Sequence, residues 1–306
     1  MGFSHVFRRG IWSAVLLLFC AAPLSAQVED HIAAYTGENA TGYLNPLAGA
    51  IGTTLNSGLY RSAHIPRFGF TIALELPIMG LYFGDENKVF TATTEAGFTP
   101  QQTTEASTVV GPTNVVIVDG DGGTQFAFPG GFDVGSFAIT APQLRIGSVF
   151  GTEAMIRFVA FKVGDDDLGD VSLFGLGFRH SLSQYMGPVP PVDLAVSFFW
   201  QSFKLGENES GEDLTKTNSY SYGVQMSKHF PPIFTPYTGL YYNSYKMDVT
   251  YESEVAGEED PIDITFDDGY VQWTIGVELN LAVLDIFVEY NVSSYNSLAF
   301  GLGLGF

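Results

Sequence analysis

Large apolar and small residues alternate at the C-terminus of the chain. The large ones are Leu298, Phe300, Leu302, Leu304 and Phe306, and the residues between them are Ala299, Gly301, Gly303 and Gly305. Successive side chains of a β-strand point to opposite faces, so a period of two separates a large apolar face from a small one. This segment therefore predicts a strand whose two faces meet different surroundings.

The same period recurs along the chain. Clear alternation covers 171–181, 192–204, 216–228, 270–280 and 283–292, and weaker alternation covers 67–76, 88–97, 139–148, 154–163 and 236–249. Strands of about ten residues with one apolar face and one polar or small face are typical of membrane-spanning barrels. We therefore expect an all-β fold, an antiparallel transmembrane β-barrel that runs from residue 67 to residue 306.

The strand number follows from where the chain begins and ends. With the C-terminal segment, the alternating segments give eleven candidate strands. We expect the N-terminus and the C-terminus on the same, periplasmic side, which requires an even number of strands. One further strand is therefore expected within 98–138, around 114–118 or 124–128. The prediction is about 12 strands, within a range of 10–14.

The end of the chain carries a second signal. The apolar positions Phe300, Leu302 and Leu304, followed by a terminal Phe306, resemble the assembly signal of bacterial outer-membrane barrels. The resemblance implies that a barrel-assembly machinery inserts the chain. It also implies lipid and lipopolysaccharide as neighbours, and we expect a monomer.

The N-terminus has the features of a secretory signal peptide, predicted for residues 1–26. Arg8 and Arg9 precede an apolar stretch, and Leu24-Ser25-Ala26 forms a small-residue cleavage site. A membrane anchor is the alternative, but the apolar stretch is shorter than the roughly 20 residues that span a bilayer. The single cysteine, Cys20, lies in this segment. Cleavage near Ala26 would leave a chain without disulfides, thiolate catalysis or cysteine-bound zinc.

Composition and charge narrow the function classes. Hydrophobic residues make up 46% of the 306 residues, charged residues only 15%, and the formal net charge is -20. So apolar a chain is not disordered, and so acidic a chain lacks the basic surface of a nucleic-acid binder. Sixteen of the 33 acids fall in 164–170, 205–215 and 250–268, which the alternating strand directions place outside the cell. A secreted soluble β-sandwich is the alternative fold, but it does not explain this sorting of acids.

Residues 27–66 do not alternate and are rich in alanine and glycine. Such a stretch before the first strand predicts a short helical or irregular plug in the lumen, or a periplasmic lead-in.

Several motifs resemble a family of uncharacterised outer-membrane barrels. They are Tyr43-Leu44 with Pro46, residues 55–60 (LNSGLY) with Ala63, Gly69-Phe70, residues 177–181 (GFRHS) and residues 191–194 (PVDL). That family is known mainly from Bacteroidetes-like bacteria and is described as a domain of unknown function. The resemblance therefore implies a fold and no activity. The Asn45-Pro46 pair is more loosely similar to the plug of the long-chain fatty-acid transporter barrels.

Charged residues on the predicted inner face form a candidate site. Arg145, Arg157 and Arg179 fall on three consecutive strands, with Arg145 and Arg157 expected opposite each other across a hairpin. The facing of 154–163 stays open, because each of its two faces contains a charge, Arg157 or Lys162. Glu278 and Asp285 are symmetric about a tight turn at 281–282. These five residues could form a porin-like constriction that sets ionic selectivity. Alternatively they form buried ion pairs with each other or with the plug, which the narrowness of a 12-stranded barrel favours.

Catalytic and metal sites have weaker support. His180 lies one and three residues from Ser181 and Ser183, and odd spacing on a strand places them on opposite faces. We expect His180 at the membrane interface, and no enzymatic activity. Asp119-Gly-Asp121 resembles the start of a calcium loop, but the twelfth position is Gly130 and not a glutamate. No cofactor or metal site is expected, although loop acids could bind divalent cations loosely.

The sequence thus predicts an outer-membrane barrel that acts as a channel or transporter for small solutes, hydrophobic ones included. The alternative is a non-transporting surface protein whose acidic loops serve adhesion or lipopolysaccharide packing.

Overall fold

The period-two segments form the strands of a closed antiparallel barrel. The computed structural model describes residues 31–162, 170–187, 190–207, 213–251 and 262–305. Its elements are α1 (Gly37–Leu55), β1 (Phe68–Tyr82), β2 (Val89–Thr93), β3 (Thr103–Ser107), β4 (Val116–Asp119), β5 (Gln125–Phe128), β6 (Ser136–Thr140), β7 (Gln143–Val149), β8 (Thr152–Lys162), β9 (Asp170–Ser181), β10 (Asp193–Glu207), β11 (Asp213–Ser227), β12 (Phe234–Tyr251), β13 (Ile262–Leu281), β14 (Leu284–Val292) and β15 (Ser297–Gly305).

Ten strands close the barrel. Each of β7 to β14 pairs with the strand that follows it, and β1 pairs with β7. The barrel closes where β15 pairs with β1, from Ala73↔Gly305 to Leu81↔Ser297. The short β6 continues the line of β7 along β1, and Pro142 lies between them. Proline has no N–H for the ladder, so it interrupts this strand. The transmembrane barrel fold is confirmed, and its ten strands lie at the lower end of the predicted range.

The estimate of about twelve strands included segments that are outside the barrel. Within 88–97, β2 has five residues and pairs only with β3, while the segments around 114–118 and 124–128 form β4 and β5, which pair with each other. Strands of four or five residues are too short to cross a bilayer, which takes about 9–11 residues. The local alternation was real, but these strands belong to two small ribbons.

The two faces of the barrel strands follow the sequence pattern. On β15 the large apolar side chains point outward, with Leu302 47% exposed, while Ala299 is buried inside. On β13 the outward face changes from the apolar Val271 and Trp273 to the polar Asp267 and Thr265 towards the loop at 252–261. A continuous apolar band that ends in polar strand extensions is the exterior expected of a barrel in a bilayer.

This band predicts the outcome of a charge scan on the outer face. Leu302→Arg is expected to lower the free energy of unfolding in lipid vesicles by about 2–4 kcal/mol, because the guanidinium would face hydrocarbon. The matched variant Thr265→Arg lies on the polar extension of β13 and is expected to cost about 0–1 kcal/mol. Denaturant titration in vesicles measures both. Equal costs would contradict the position of the apolar band.

The two ends of the barrel differ. Short turns join β7 to β8 and β13 to β14, and the start of β1 lies at the same end. The opposite end carries residues 83–135 and the strand ends at residues 162, 170, 207, 213, 251 and 262. Most of the predicted acidic loop residues lie in 163–169, 208–212 and 252–261, outside the described residues. Short turns are typical of the periplasmic side and long loops of the external side. We call the two ends the short-turn end and the long-loop end.

Residues 31–66, the plug, run through the lumen. The backbone carbonyl of Tyr35 accepts a hydrogen bond from Tyr251 Oη (2.9 Å) at the long-loop end, and the Arg67 carbonyl accepts one from the Gly151 amide (2.9 Å) at the short-turn end. Residue 31 therefore lies at the long-loop end. The start of the chain after the predicted leader, which we expected in the periplasm, lies outside the described residues. The strand number is still even because the plug crosses the lumen before β1 begins.

Residues 83–135, the cap, cover the start of α1. The Glu95 carboxylate accepts hydrogen bonds from Thr36 N (3.0 Å) and Thr36 Oγ1 (2.6 Å), beside the positive end of the helix dipole. Asn39 bonds to both backbone groups of Thr93 in β2 (2.6 and 3.0 Å). An apolar core formed by α1, the cap and the barrel strands near the long-loop end includes Tyr43, Phe128 and Met247.

Among the described residues, no helix is long and apolar enough to cross a membrane.

The wall has unequal height around its circumference. β13 pairs with β12 along Ile262–Leu279 but with β14 only from Trp273 onward. The rim formed by β14, β15 and residues 293–296 is therefore low. At this low rim, residues of α1 such as Asn45 and residues of the cap such as Glu86 are exposed.

Candidate functional site

The C-terminal end of α1 is held by a buried arginine of the wall. Arg157 on β8 donates to the carbonyls of Leu55 (3.0 Å), Ser57 (3.2 Å) and Gly58 (3.3 Å). Its side chain has no exposed surface. Leu55 is the last residue of α1, and the last carbonyls of a helix have no partner within the helix and carry partial negative charge, which favours a guanidinium there. The Ser57 and Gly58 carbonyls follow the end of the helix and are bound by the same guanidinium.

Two glutamines hold this guanidinium in place. Gln143 Oε1 accepts hydrogen bonds from Arg157 Nη2 (2.8 Å) and Nε (3.2 Å). Gln201 Nε2 donates to the Leu55 carbonyl (2.7 Å), and Gln143 Nε2 donates to the Gly58 carbonyl (3.1 Å). Wall and plug are thus joined by a network in which each side chain binds both the arginine and the plug backbone.

Towards the short-turn end, ion pairs link the plug to the wall. Arg61 of the plug pairs with Glu75 on β1, and Arg145 on β7 pairs with the same carboxylate (2.6 Å). Arg145 also lies 3.6 Å from Glu153 on β8, which accepts two hydrogen bonds from Arg179 on β9 (2.7 and 3.1 Å). Arg179 returns to the plug by donating to the Ser62 carbonyl. Charges of both signs therefore alternate around one side of the lumen.

The opposite side of the lumen carries two further carboxylates. Glu289 on β14 accepts hydrogen bonds from the Gly58 amide (2.7 Å), from Tyr237 Oη (3.1 Å) and from Asn291 Nδ2 (3.1 Å). Glu278 on β13 lies 3.8 Å from Arg61. Both carboxylates are buried. The plug thus meets polar partners around the whole circumference at this level.

The predicted site residues lie in the lumen, but their arrangement differs from the expected one. Arg145 is opposite Met155, and Arg157 is opposite Gln143, because an irregularity at Gly147/Val149 shifts the register of the hairpin. The two arginines are therefore two residues apart along the strands.

The acidic pair also differs from the expectation. Asp285 is opposite Asn280, which donates to its carboxylate (2.9 Å), while Glu278 is opposite Phe287. The three arginines meet Glu75, Glu153 and plug carbonyls. They do not face Glu278 and Asp285 across an open space. In this structure Arg145 and Arg179 form ion pairs with wall carboxylates, and Glu278 lies near Arg61 of the plug. Arg157 binds plug carbonyls and Asp285 binds Asn280.

The residues considered for catalysis or metal binding lie elsewhere. His180 bonds to Thr152 (2.8 Å) and to Tyr185 (3.0 Å) at the short-turn end, and the neighbouring Ser181 side chain is buried on the other face. Asp119 accepts a hydrogen bond from Gln125 Nε2 (2.8 Å) within the cap. Among the described residues, no group of three metal-ligating side chains comes together.

The mouth at the short-turn end carries a titratable pair. His64 Nδ1 lies 3.2 Å from Asp193 Oδ1. The hydrogen bond to Asp193 raises the pKa of the His64 imidazole above its ordinary value, against the opposing effect of partial burial. The imidazole therefore keeps its proton to higher pH than a free histidine.

The sequence of the whole barrel matches one family. The family model covers residues 9–306. The chain belongs to DUF6588, a family of unknown function. The resemblance seen in the motifs is confirmed at the level of the family, and the looser similarity to fatty-acid transporters stays a prediction. No curated protein matches the chain in sequence.

Solved structures similar to this DUF6588 barrel include three outer-membrane proteins. The outer membrane protease OmpT from Escherichia coli is 9% identical, with 79% of this chain and 98% of that chain covered and a TM-score of 0.34. The β domain of the Bordetella autotransporter BrkA is 10% identical, with 76% and 97% covered and a TM-score of 0.32. The Ralstonia pickettii toluene transporter TbuX is 7% identical, with 80% and 91% covered and a TM-score of 0.28. At such TM-scores these similarities do not bear on the activity of the DUF6588 barrel.

Several residues of the site were not predicted from the DUF6588 sequence. Glu75 is the one acid among the apolar residues of 67–76, and Glu289 lies on the polar face of 283–292. An acidic residue in a segment that is otherwise mostly apolar could have identified Glu75 as a residue of the site. Arg61 and the carbonyls of 55–58 lie in a segment without alternation, so no sequence period indicates where they point.

Proposed function

We propose that this chain is an outer-membrane barrel that passes small polar solutes when the plug moves, and that it is closed in the arrangement described above. The predicted leader, the closed barrel and the apolar outer band support the outer-membrane location. Lipid and lipopolysaccharide are then its neighbours. Closure within a single chain supports a monomer.

One observation carries the proposal: many of the barrel side chains that face the plug from residue 55 to residue 66 are polar. The buried polar side chains of this part of the wall are Glu75, Gln143, Glu153, Arg157, Arg179, Gln201, Ser219, Ser221, Gln225, Asn243, Gln272, Thr274, Glu278, Glu289 and Asn291. Fewer apolar side chains, among them Met155, Phe199 and Phe287, are buried between them. A permanently filled barrel is more easily stabilised by apolar packing, because buried ion pairs seldom exceed the cost of their desolvation. A wall of this kind is instead suited to water once the plug leaves.

The size of the lumen is compatible with passage. The half of the lumen nearer the long-loop end holds α1, and a helix with its side chains is about 10–12 Å across. Displacing the plug would therefore leave a channel wide enough for small molecules. The charged and amide side chains at the level of residues 55–62 favour polar solutes. The sequence alone predicted small solutes with hydrophobic ones included, and the proposal is therefore limited to polar ones.

The proposal is tested by loosening one anchor of the plug. In Arg61→Ala the plug loses its ion pair, while Glu75 keeps Arg145 and Gln143 as partners. We expect liposomes with this variant to swell in small sugars at least about tenfold faster than those with the wild type, since breaking a buried pair costs about 3–5 kcal/mol.

The matched control is Arg67→Ala, since Arg67 is exposed and lies just before β1. This control is expected to swell at the wild-type rate. If neither the wild type nor Arg61→Ala passes any solute, while both are folded, the transport proposal is wrong.

A second function is favoured by the plug itself. The plug runs through the lumen from the long-loop end to the short-turn end, and a barrel that never opens would serve as a surface protein. In that role the acidic external loops would act in adhesion or lipopolysaccharide packing. Absence of swelling in every folded variant supports this alternative.

A further inference from the structure

A cavity lies at the low rim, on the external side of the barrel. Its volume is about 350 Å³, and its walls come from α1, the start of the cap and the turn between β14 and β15. The lining residues used below are Glu38, Asn45, Glu86, Phe90 and Tyr295. Cavities of about 300–1,000 Å³ with a few converging polar groups are typical of small-molecule sites.

Two glycines of α1 let aromatic rings of the cavity wall pack against the helix, and one of them, Gly42, lines the cavity. A Cβ atom at Gly42 would lie 2.4 Å from the Phe90 ring, and one at Gly49 would lie 2.3 Å from the Tyr295 ring. Positions 42 and 49 are seven residues apart and lie on one face of the helix, with Asn45 and Pro46 between them. The two aromatic rings therefore rest on the helix at either end of the cavity.

The face of the helix that lines the cavity presents hydrogen-bond acceptors. Pro46 has no N–H to donate to the Gly42 carbonyl, the usual partner four residues earlier. Asn45 and Glu38 are exposed on the same side of α1, and their side chains have no hydrogen-bond or ion-pair partner among the described residues. A ligand would meet the amide of Asn45 and the carboxylate of Glu38, which have no protein partner among the described residues, and the Gly42 carbonyl, which lacks its usual helical donor.

The charge of the cavity has one sign. Glu38 and Glu86 line it, and no lysine, arginine or histidine does. Lys88, on the same loop as Glu86, lies 3.9 Å from Asp85. Burial, together with Asp268 and Glu86, raises the pKa of the Tyr295 phenol, so the hydroxyl stays protonated and neutral. The local field therefore attracts cations and repels anions.

We propose that this cavity binds a small organic cation, an amine whose ammonium group contacts the Glu38 carboxylate and the acceptors of Asn45 and Gly42. An ammonium has three donors and no acceptor, which matches the three acceptors of the helix. Phe90 and Tyr295 line the cavity, and their aromatic rings add an attraction for a cation. Binding at this site does not depend on passage through the lumen, so it is independent of the proposed transport.

The experiment compares two ligands that differ in one group. Glucosamine in its protonated form carries an ammonium where glucose has a hydroxyl. Calorimetric titration of the full chain in detergent is expected to show glucosamine binding at least about tenfold more tightly than glucose, with weaker binding at high salt. Equal affinities for the two sugars, or no binding of either, would overturn the proposal.

Variants then place the binding in this cavity. Glu38→Gln and Asn45→Ala are each expected to weaken glucosamine binding by about tenfold, because each removes an acceptor from the ammonium. Glu105→Gln removes an exposed acid of the cap that does not line the cavity, and it is expected to bind as the wild type does. All three substitutions are at exposed positions, and circular dichroism checks that each variant is folded. Unchanged binding in Glu38→Gln and Asn45→Ala would refute the assignment.

The amine could come from solution or from a lipid headgroup. Titration in nanodiscs of phosphatidylethanolamine and of phosphatidylglycerol separates the two sources. Weaker glucosamine binding in the phosphatidylethanolamine discs would show that the headgroup competes for the cavity. Equal binding in both would show that the cavity takes free amines.

Discussion

Arg157→Met is expected to lower the free energy of unfolding of the barrel by about 3–5 kcal/mol. The substitution keeps an unbranched, apolar chain of similar length and removes the guanidinium. The carbonyls of Leu55, Ser57 and Gly58 and the amide oxygen of Gln143 then lose a buried donor. Each buried group left without a partner costs about 1–3 kcal/mol. Urea unfolding in detergent micelles, followed by tryptophan fluorescence, measures the change.

The control for this variant is Lys246→Met. Lys246 lies on the outer face of β12 beyond the apolar band, where its ammonium is 3.4 Å from Asp248 and its side chain is 54% exposed. Exposed ion pairs contribute about 0–1 kcal/mol, so the control is expected to be close to the wild type. If Arg157→Met is as stable as Lys246→Met, the buried network does not hold the plug in the way that the contacts indicate.

A disulfide between plug and wall is expected to abolish passage reversibly. Ser57 of the plug and Ser297 of β15 have their hydroxyl oxygens 2.8 Å apart. The sulfur atoms of cysteines at these positions would need to approach to about 2.05 Å, a small adjustment. With Ser57→Cys and Ser297→Cys the oxidised chain should show no swelling of liposomes, and the reduced chain should return to the wild-type rate. The reason is that solute passage requires the plug to leave β15.

Each single substitution is the control for the engineered disulfide. Ser57→Cys and Ser297→Cys alone cannot form the bond, because the only native cysteine, Cys20, lies in the predicted leader. Both are expected to pass solute equally in oxidising and reducing buffer. Swelling that continues with the disulfide formed would mean that solutes pass without movement of residues 55–58, and the moving-plug mechanism would be wrong.

The barrel was predictable because its signal is local. Whether Leu302 faces lipid and Gly303 faces the lumen depends only on the alternation of neighbouring side chains along one strand. The same locality explains the error in the cap. Residues 88–97 alternate as a barrel strand does, and nothing within them indicates that β2 pairs only with β3.

The site was predictable only in part. The inward positions of Arg145 and Arg179 follow from the strand period. The period of 154–163 allows either Arg157 or Lys162 to face inward, and the partners of all three arginines do not follow from it. The turn irregularity at Gly147/Val149 moved Arg157 opposite Gln143, and a shift of this size cannot be inferred from residue spacing. The ligand cavity depends on Gly49 and Tyr295, which are distant in sequence and meet only in the folded chain.

The sequence by itself determined the strand period, the apolar exterior, the polar interior and the presence of a non-alternating segment before the first strand. These properties depend on residues that are close together along the chain. Only the tertiary structure decided that the plug enters from the long-loop end, that Arg61 pairs with Glu75 and that Arg157 binds the end of α1. Those contacts join elements that meet only after β15 pairs with β1, because closure of the barrel defines which side chains share the lumen.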